Sequence, residues 1–428
     1  MGYVETGKLA HRMKRIGHLD IPGGGQVVVS NGHAFVGHMK PPHGTSIIDV
    51  SDPARPRLTA QIEPETAYSH THKVRVAGDI MITNVEQDRR HFLRKGEKLP
   101  QLRQKLAAEL GRPASDEELA GGLAVSASEI ADLEAARARG YREGGFRIWD
   151  VSRPAAPKLL HTERTFGFGV HRFDMDTGHA FISTEMEGYV GNILVIYDLA
   201  DPARPREVSR WWMPGQHIAG GETPTWEGYG IRLHHAMRVG DELWASVWHA
   251  GFRVVDIKDM TAPKTVAAHT YHPWVKEPTH TVLPAQKRCG GRRIAAVADE
   301  EHEHVHGQPH AGLWLFDVTD LENIEPLSTF HVSEMDSPFS RAPGRFGMHQ
   351  FQEHIEGDLL FCAWFGGGLR VVDISDPVLP TEVGHYIPEP VGGNPSPQSN
   401  DVDVDGRGLV YLIDRNRGFD ILEFQDRK

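Results

Sequence analysis

The chain has 428 residues, 39% hydrophobic and 24% charged, with a formal net charge of −12. That describes a globular protein with a large core; no run of eighteen apolar residues offers a membrane span, and the negative charge argues against nucleic acid as a partner. Two cysteines, Cys289 and Cys362, cannot staple a chain this long, and "MGYVETGKLAHRMKR" lacks an apolar leader, so a cytoplasmic protein without a membrane partner is expected.

In chain order, "KRIGHLDI" reads as an outer strand with no unit before it. One phrase then recurs: "GTSIIDVSDPARPRL" from Gly44, "GGFRIWDVSRPAAPKL" from Gly144, "GNILVIYDLADPARPREV" from Gly191, "AGFRVVDIKDMTAPKTV" from Ala250, "AGLWLFDVTDLENIEPL" from Ala311 and "GGLRVVDISDPVLPTEV" from Gly367. A shorter seventh, "RGFDILEF", begins at Arg417. Each runs through β-favouring residues and stops at an acid followed by turn chemistry. Two further strand-like runs precede each phrase, giving four short antiparallel strands per repeat, the pattern of a propeller blade. The acids Asp49, Asp150, Asp198, Asp256, Asp317, Asp373 and Glu423 are separated by 101, 48, 58, 61, 56 and 50 residues. Seven blades follow, with one long insertion in the second. The expected fold is therefore all-β: a single seven-bladed β-propeller over residues 1–428, closed by its N-terminal strand.

Segments such as "LVIYD" and "RVVDI" resemble the LVIVD-repeat proteins, which are taken to be β-propellers. The resemblance covers nearly the whole chain outside the insertion. It implies the fold and is nearly silent on function.

The insertion, residues 88–141, has a helical pattern. Leu102, Leu106 and Leu110 recur every four residues, and Ser115 with Glu118 and Ser126 with Glu129 form capping boxes. Three short helices are expected. Half of this stretch resembles the helical region of bacterial sigma factors, but the chain's charge disfavours DNA. The insertion's position predicts a lid over the channel mouth; an oligomer contact, making the chain a homo-oligomer, is the other role.

The 26 histidines need a physical reason. Aligning inner strands by their alternation puts His72, His171, His235, His280 and His349 at one equivalent position in five blades, with Gln26 and Asn400 in the other two. Inner strands of a propeller all begin on one rim, so these residues converge on the axis. A ring of neutral imidazoles can ligate iron, copper, zinc or manganese. Carotenoid-cleaving oxygenases, and the selenium-binding protein or methanethiol oxidase group, are similar in architecture: histidines hold iron or copper on a propeller axis. No motif of either is visible here, so no residue is carried over.

Second strands return to the same rim and bring His38, Glu86, Glu185, His249, Asp299 and Glu300 there. Of these Glu86, Glu185, His249 and Glu300 are candidates for acid–base roles beside the ligands. "EEHEHVHGQPH" adds His302, His304 and His306. Aromatics at 165–169, 210–217, 223–230 and 271–274 either wall a pocket for an apolar or aromatic molecule or cap the blades. The expected function is a metalloenzyme acting on a small molecule: an oxidoreductase using iron or copper first, a hydrolase or lyase using zinc or manganese second. A non-catalytic scaffold for partner proteins is the third class.

Overall fold

A computed structural model describes residues 9–226, 230–272 and 275–425. Seven antiparallel four-stranded units follow one another around a ring. Blade 1 comprises Gly24–Ser30, His33–His38, Thr45–Asp49 and Arg57–Ile62. Its first hairpin turns at Asn31 and Gly32, with φ of 48° and 74°. Those angles suit a primed turn, which follows the natural twist of the strands.

The recurrent phrase has a plain structural cause. Its Asp ends the third strand and accepts the backbone N–H two residues on, at 2.8–2.9 Å, in six blades: Asp49, Asp150, Asp198, Asp256, Asp317 and Asp373. The side chain thereby mimics a backbone turn and stops the ladder. Glu423 of the seventh phrase pairs instead with Lys14 of the incoming N-terminal strand.

That strand, Met13–Pro22, pairs with Arg417–Phe424 and supplies the outer strand of blade 7, as the sequence predicts. A two-residue strand, Ala10–His11, adds to the edge of blade 6. Third strands read as continuous apolar runs because both faces of a blade are covered. In "NILVIYD" the first six residues are all buried. The core lies between blades: Phe181, Leu194 and Ile196 of blade 3 pack on Leu243, Ala245 and Val255 of blade 4. Each of the larger side chains contributes roughly 1.5 to 3 kcal/mol by leaving water.

The insertion holds four helices rather than three: α1 (Arg90–Glu97), α2 (Leu99–Leu110), α3 (Asp116–Leu123) and α4 (Ser128–Arg139). Ser115 and Glu118 form the expected capping box on α3. At Ser126 only the Glu129 side chain returns to the backbone, at 2.9 Å, and α4 begins two residues later. The unforeseen α1 lacks an apolar repeat and is held by ion pairs to the propeller. Among the described residues no helix is long and apolar enough to cross a membrane.

Candidate metal centre

The inner strands carry an irregularity at one place. In blades 1, 3, 5, 6 and 7 the pairing skips a residue near the strand's start, and the skipped residues are Gly25, His171, His280, His349 and Asn400. In blade 4, His234 and His235 both face Ser246, a two-against-one arrangement of the same kind. A bulge re-aims side chains at the end of a strand. Here it sends the extra residue to the mouth and the following one into the channel.

The imidazole in the arc is therefore His234, not the expected His235. One residue of slip flips a side chain to the other face. His235 is buried in a lower layer, its Nδ1 3.4 Å from Arg172 Nε and 3.6 Å from Glu353. Gln26 likewise belongs below, donating to Glu353 at 3.0 Å. Its predecessor Gly25 has room for nothing larger: a Cβ there would meet the His72 carbonyl oxygen at 2.5 Å.

The arc runs His72, His171, His234, His280, His349, with neighbouring ring centroids 5.3, 4.9, 4.1 and 4.4 Å apart. Hydrogen bonds sort the ring nitrogens. His171 Nδ1 meets both Glu86 oxygens at 3.1 and 3.2 Å, and His234 Nδ1 meets the His280 carbonyl at 2.7 Å. His280 Nδ1 meets Thr281 Oγ1 at 2.8 Å, whose own proton goes to Gln350, and His349 Nδ1 meets the Asn400 carbonyl. All four Nδ1 atoms thus donate, leaving each Nε2 a bare lone pair.

His72 differs. The Asn84 amide is oriented by Lys73 N on its oxygen and the Val170 carbonyl on its nitrogen, so it also donates to His72 Nδ1 at 3.1 Å. The His72 proton then sits on Nε2, 3.8 Å from Glu86.

Burial holds His72, His171, His234, His280 and His349 well below the ordinary imidazole range, assisted chiefly by neighbouring cations and imidazoles. They are neutral at neutral pH. His171 Nε2 and His234 Nε2 lie 3.1 Å apart. Two lone pairs facing at that distance repel unless a cation lies between them. Nitrogens bound to one ion at about 2.1 Å and at right angles would lie about 3 Å apart. The residues present fit a metal.

Two carboxylates flank the arc. Glu86 contacts His70 Nε2 at 2.9 Å and Arg90 of α1 at 2.8 Å. Glu300 lies 3.9 Å from both His280 Nε2 and His349 Nε2, 3.2 Å from His302 Nε2 and 2.7 Å from Arg345. Burial opposes its charge, but His302, Arg345 and His349 outweigh burial and hold the carboxyl well below the usual range. The ligand atoms of His70, His72 and Glu86, and of His234, His280 and Glu300, form two sets within 4.8 Å.

The other expected rim residues lie elsewhere. Glu185 is pinned by Arg94 of α1 and by the Phe168 N–H at 3.0 Å, and does not line the cavity over the arc. His249 is exposed and bonded to the Lys276 carbonyl at 3.2 Å; Trp248, at a left-handed φ of 49°, stacks on His234 in its place. His38 is satisfied by Ser46 and the Pro22 carbonyl, and Asp299 by Tyr271 and Trp314.

The cavity over the arc has a volume of about 320 Å³. Its wall is cationic rather than aromatic: Lys40, Lys73, Arg89, Arg90, Arg345 and Arg415 line it, and Trp248 is its one aromatic besides histidine among the described residues. Tyr229 and Trp274, in two of the expected aromatic segments, lie outside the described residues. Arg415, lowered to about 10 by burial and then by Arg345, has no ion pair among the described residues. The channel below holds Lys73, lowered to about 7 by burial, and Asp401, raised to about 7 by burial, around Glu353.

A model of the LVIVD repeat matches residues 24–63 and 354–387, in blades 1 and 6. The chain carries LVIVD repeats. The first match spans all four strands of blade 1, and the second the last three strands of blade 6. Among solved structures this chain is similar to the C-terminal WD40 domain of Sif2, at 10% identity and a TM-score of 0.53, over 98% of this chain and 99% of that one. That likeness shows a WD40-like propeller and leaves activity to the site. No curated protein matches the chain.

Proposed function

We propose that this protein is a metalloenzyme whose centre is held by Nε2 of His171, His234, His280 and His349. The supporting observation is the pair of bare nitrogens, His171 and His234, facing each other at 3.1 Å inside a buried site. Bound there, iron or copper would supply redox chemistry, and zinc or manganese a Lewis acid. The all-nitrogen set makes an oxidase or oxygenase our first reading.

The chain's own groups have separable roles. Glu86 orients His171 and is itself held by Arg90. Glu300, an anion beside His280 and His349, is placed to take a proton from substrate or water; this favours a hydrolase or lyase as the second reading. Arg415 and Lys40 offer charge to a substrate carboxylate or similar anion, so the molecule acted on is small and anionic rather than apolar. Arg89, the N-cap of α1, and Arg90 and His91 of its first turn line the wall, which supports reading the insertion as a lid that excludes water.

Elemental analysis of protein purified without a histidine tag tests this. Iron or copper supports the first reading, and zinc or manganese the second. No bound metal after reconstitution, or full metal content in a His280→Ala variant, would refute the centre.

A further inference from the structure

The loop 301–310, "EHEHVHGQPH", leaves the second strand of blade 5. Only His302 of its histidines meets Glu300 of the axial cavity. The others gather around Glu301 and around Glu334, which lies in the connection from blade 5 to blade 6. Glu301, fully buried, accepts from the Phe346 N–H at 2.8 Å and contacts His304 Nδ1 at 3.3 Å and His310 Nδ1 at 2.8 Å. Glu334 accepts from the Gly307 N–H at 2.7 Å, His310 Nε2 at 3.0 Å and His306 Nδ1 at 2.6 Å.

One group is left over. His304 Nε2 is shut off from solvent and has no hydrogen-bond partner among the described residues. Because Glu301 takes the proton on Nδ1, Nε2 is a buried lone pair with nothing to accept. Leaving such a group unsatisfied is costly, and native structures rarely do it. His304, His306 and Glu334 each offer a ligand atom within 4.8 Å of the other two. Around a tetrahedral zinc ion with bonds of about 2.1 Å, ligand atoms stand about 3.4 Å apart, so small side-chain rotations suffice.

We propose that His304, His306 and Glu334 form a second divalent transition-metal site of zinc type, separate from the axial centre. Glu301 orients His304 through Nδ1, a common support for a ligating histidine. His310 bridges the two carboxylates and fixes their spacing. A two-nitrogen, one-oxygen set selects zinc-like ions over calcium or magnesium. The ion would tie the loop to the next connection, and Glu301 sits between Glu300 and His302, so it would also steady the acidic end of the axial cavity.

Zinc titration of metal-stripped, untagged protein by calorimetry tests the site independently of the axial centre. In a His280→Ala background one zinc-binding event should persist, and His306→Ala added to that background should weaken it at least tenfold. His306 is half exposed, so this change spares the core; His304→Gln serves as a second variant, with circular dichroism checking the fold. Equal zinc affinity and stoichiometry with and without His306→Ala would overturn the proposal. So would a folded His280→Ala protein that binds no zinc while wild type binds one equivalent.

Discussion

Replacing His234 with Ala should empty the axial centre, while the same change at His235 should leave it filled. We expect His234→Ala to lose metal and about a hundredfold or more in kcat, and His235→Ala to keep metal while losing roughly 1 to 3 kcal/mol of stability from the buried partners it abandons. His72→Ala, which removes no bare nitrogen, should retain most of the metal. Metal content and denaturation midpoints of the three variants decide this. A different histidine sets an acid limit on the fold. Burial lowers His38 to about 4 from 6.5, so the folded state binds fewer protons than the unfolded one between those values. Its stabilisation is complete above about pH 6.5 and falls away as pH drops towards 4, on the order of 3 kcal/mol. Urea unfolding at pH 7.5 and 5 should differ less in His38→Gln than in wild type. At this scale the sequence yields residue types better than positions: "RLHHAM" offers a candidate ligand, but alternation alone cannot locate the bulge that decides which histidine faces the arc.

At the scale of elements, the insertion is joined to the site by α1. Arg90 reaches Glu86 and Arg94 reaches Glu185, so the helix is tied to the ends of second strands in blades 2 and 3. Replacing residues 90–140 by a short Gly/Ser linker should leave a folded, metal-loaded propeller whose kcat/KM changes at least tenfold. Unchanged kinetics would remove the lid, and a lost dimer would make the insertion an oligomer contact. α3 was legible because a capping box and an apolar repeat are local signals. α1 was not, because "DRRHFLRKGE" is stabilised by carboxylates that come from strands distant in sequence. The same distance hides the cationic wall: Lys40, Arg90, Arg345 and Arg415 come from four separate connections, and no short motif gathers them.

For the whole molecule, the repeat phrase was enough to predict seven blades and their closure, since each Asp turn is written in consecutive residues. Closure itself carries a prediction. Removing residues 1–22 strips blade 7 of its outer strand and opens an edge, so Tm should fall by on the order of 10 °C and the protein should aggregate, as calorimetry and light scattering would report. If the truncated chain stayed monomeric at wild-type Tm, the outer strand would be dispensable. The partners in that closing sheet, Asp20 and Arg417, are 397 residues apart. At a synthesis rate of about 5–20 residues per second, the opening strand waits about 20 to 80 seconds on the ribosome for the segment that will cover it. During that interval the strand Met13–Pro22 has no partner, whatever the finished ring is worth. The hazard for this protein in the cell is then a matter of timing, and slowed translation or a stalled last blade would harm its yield more than a modest loss of core packing.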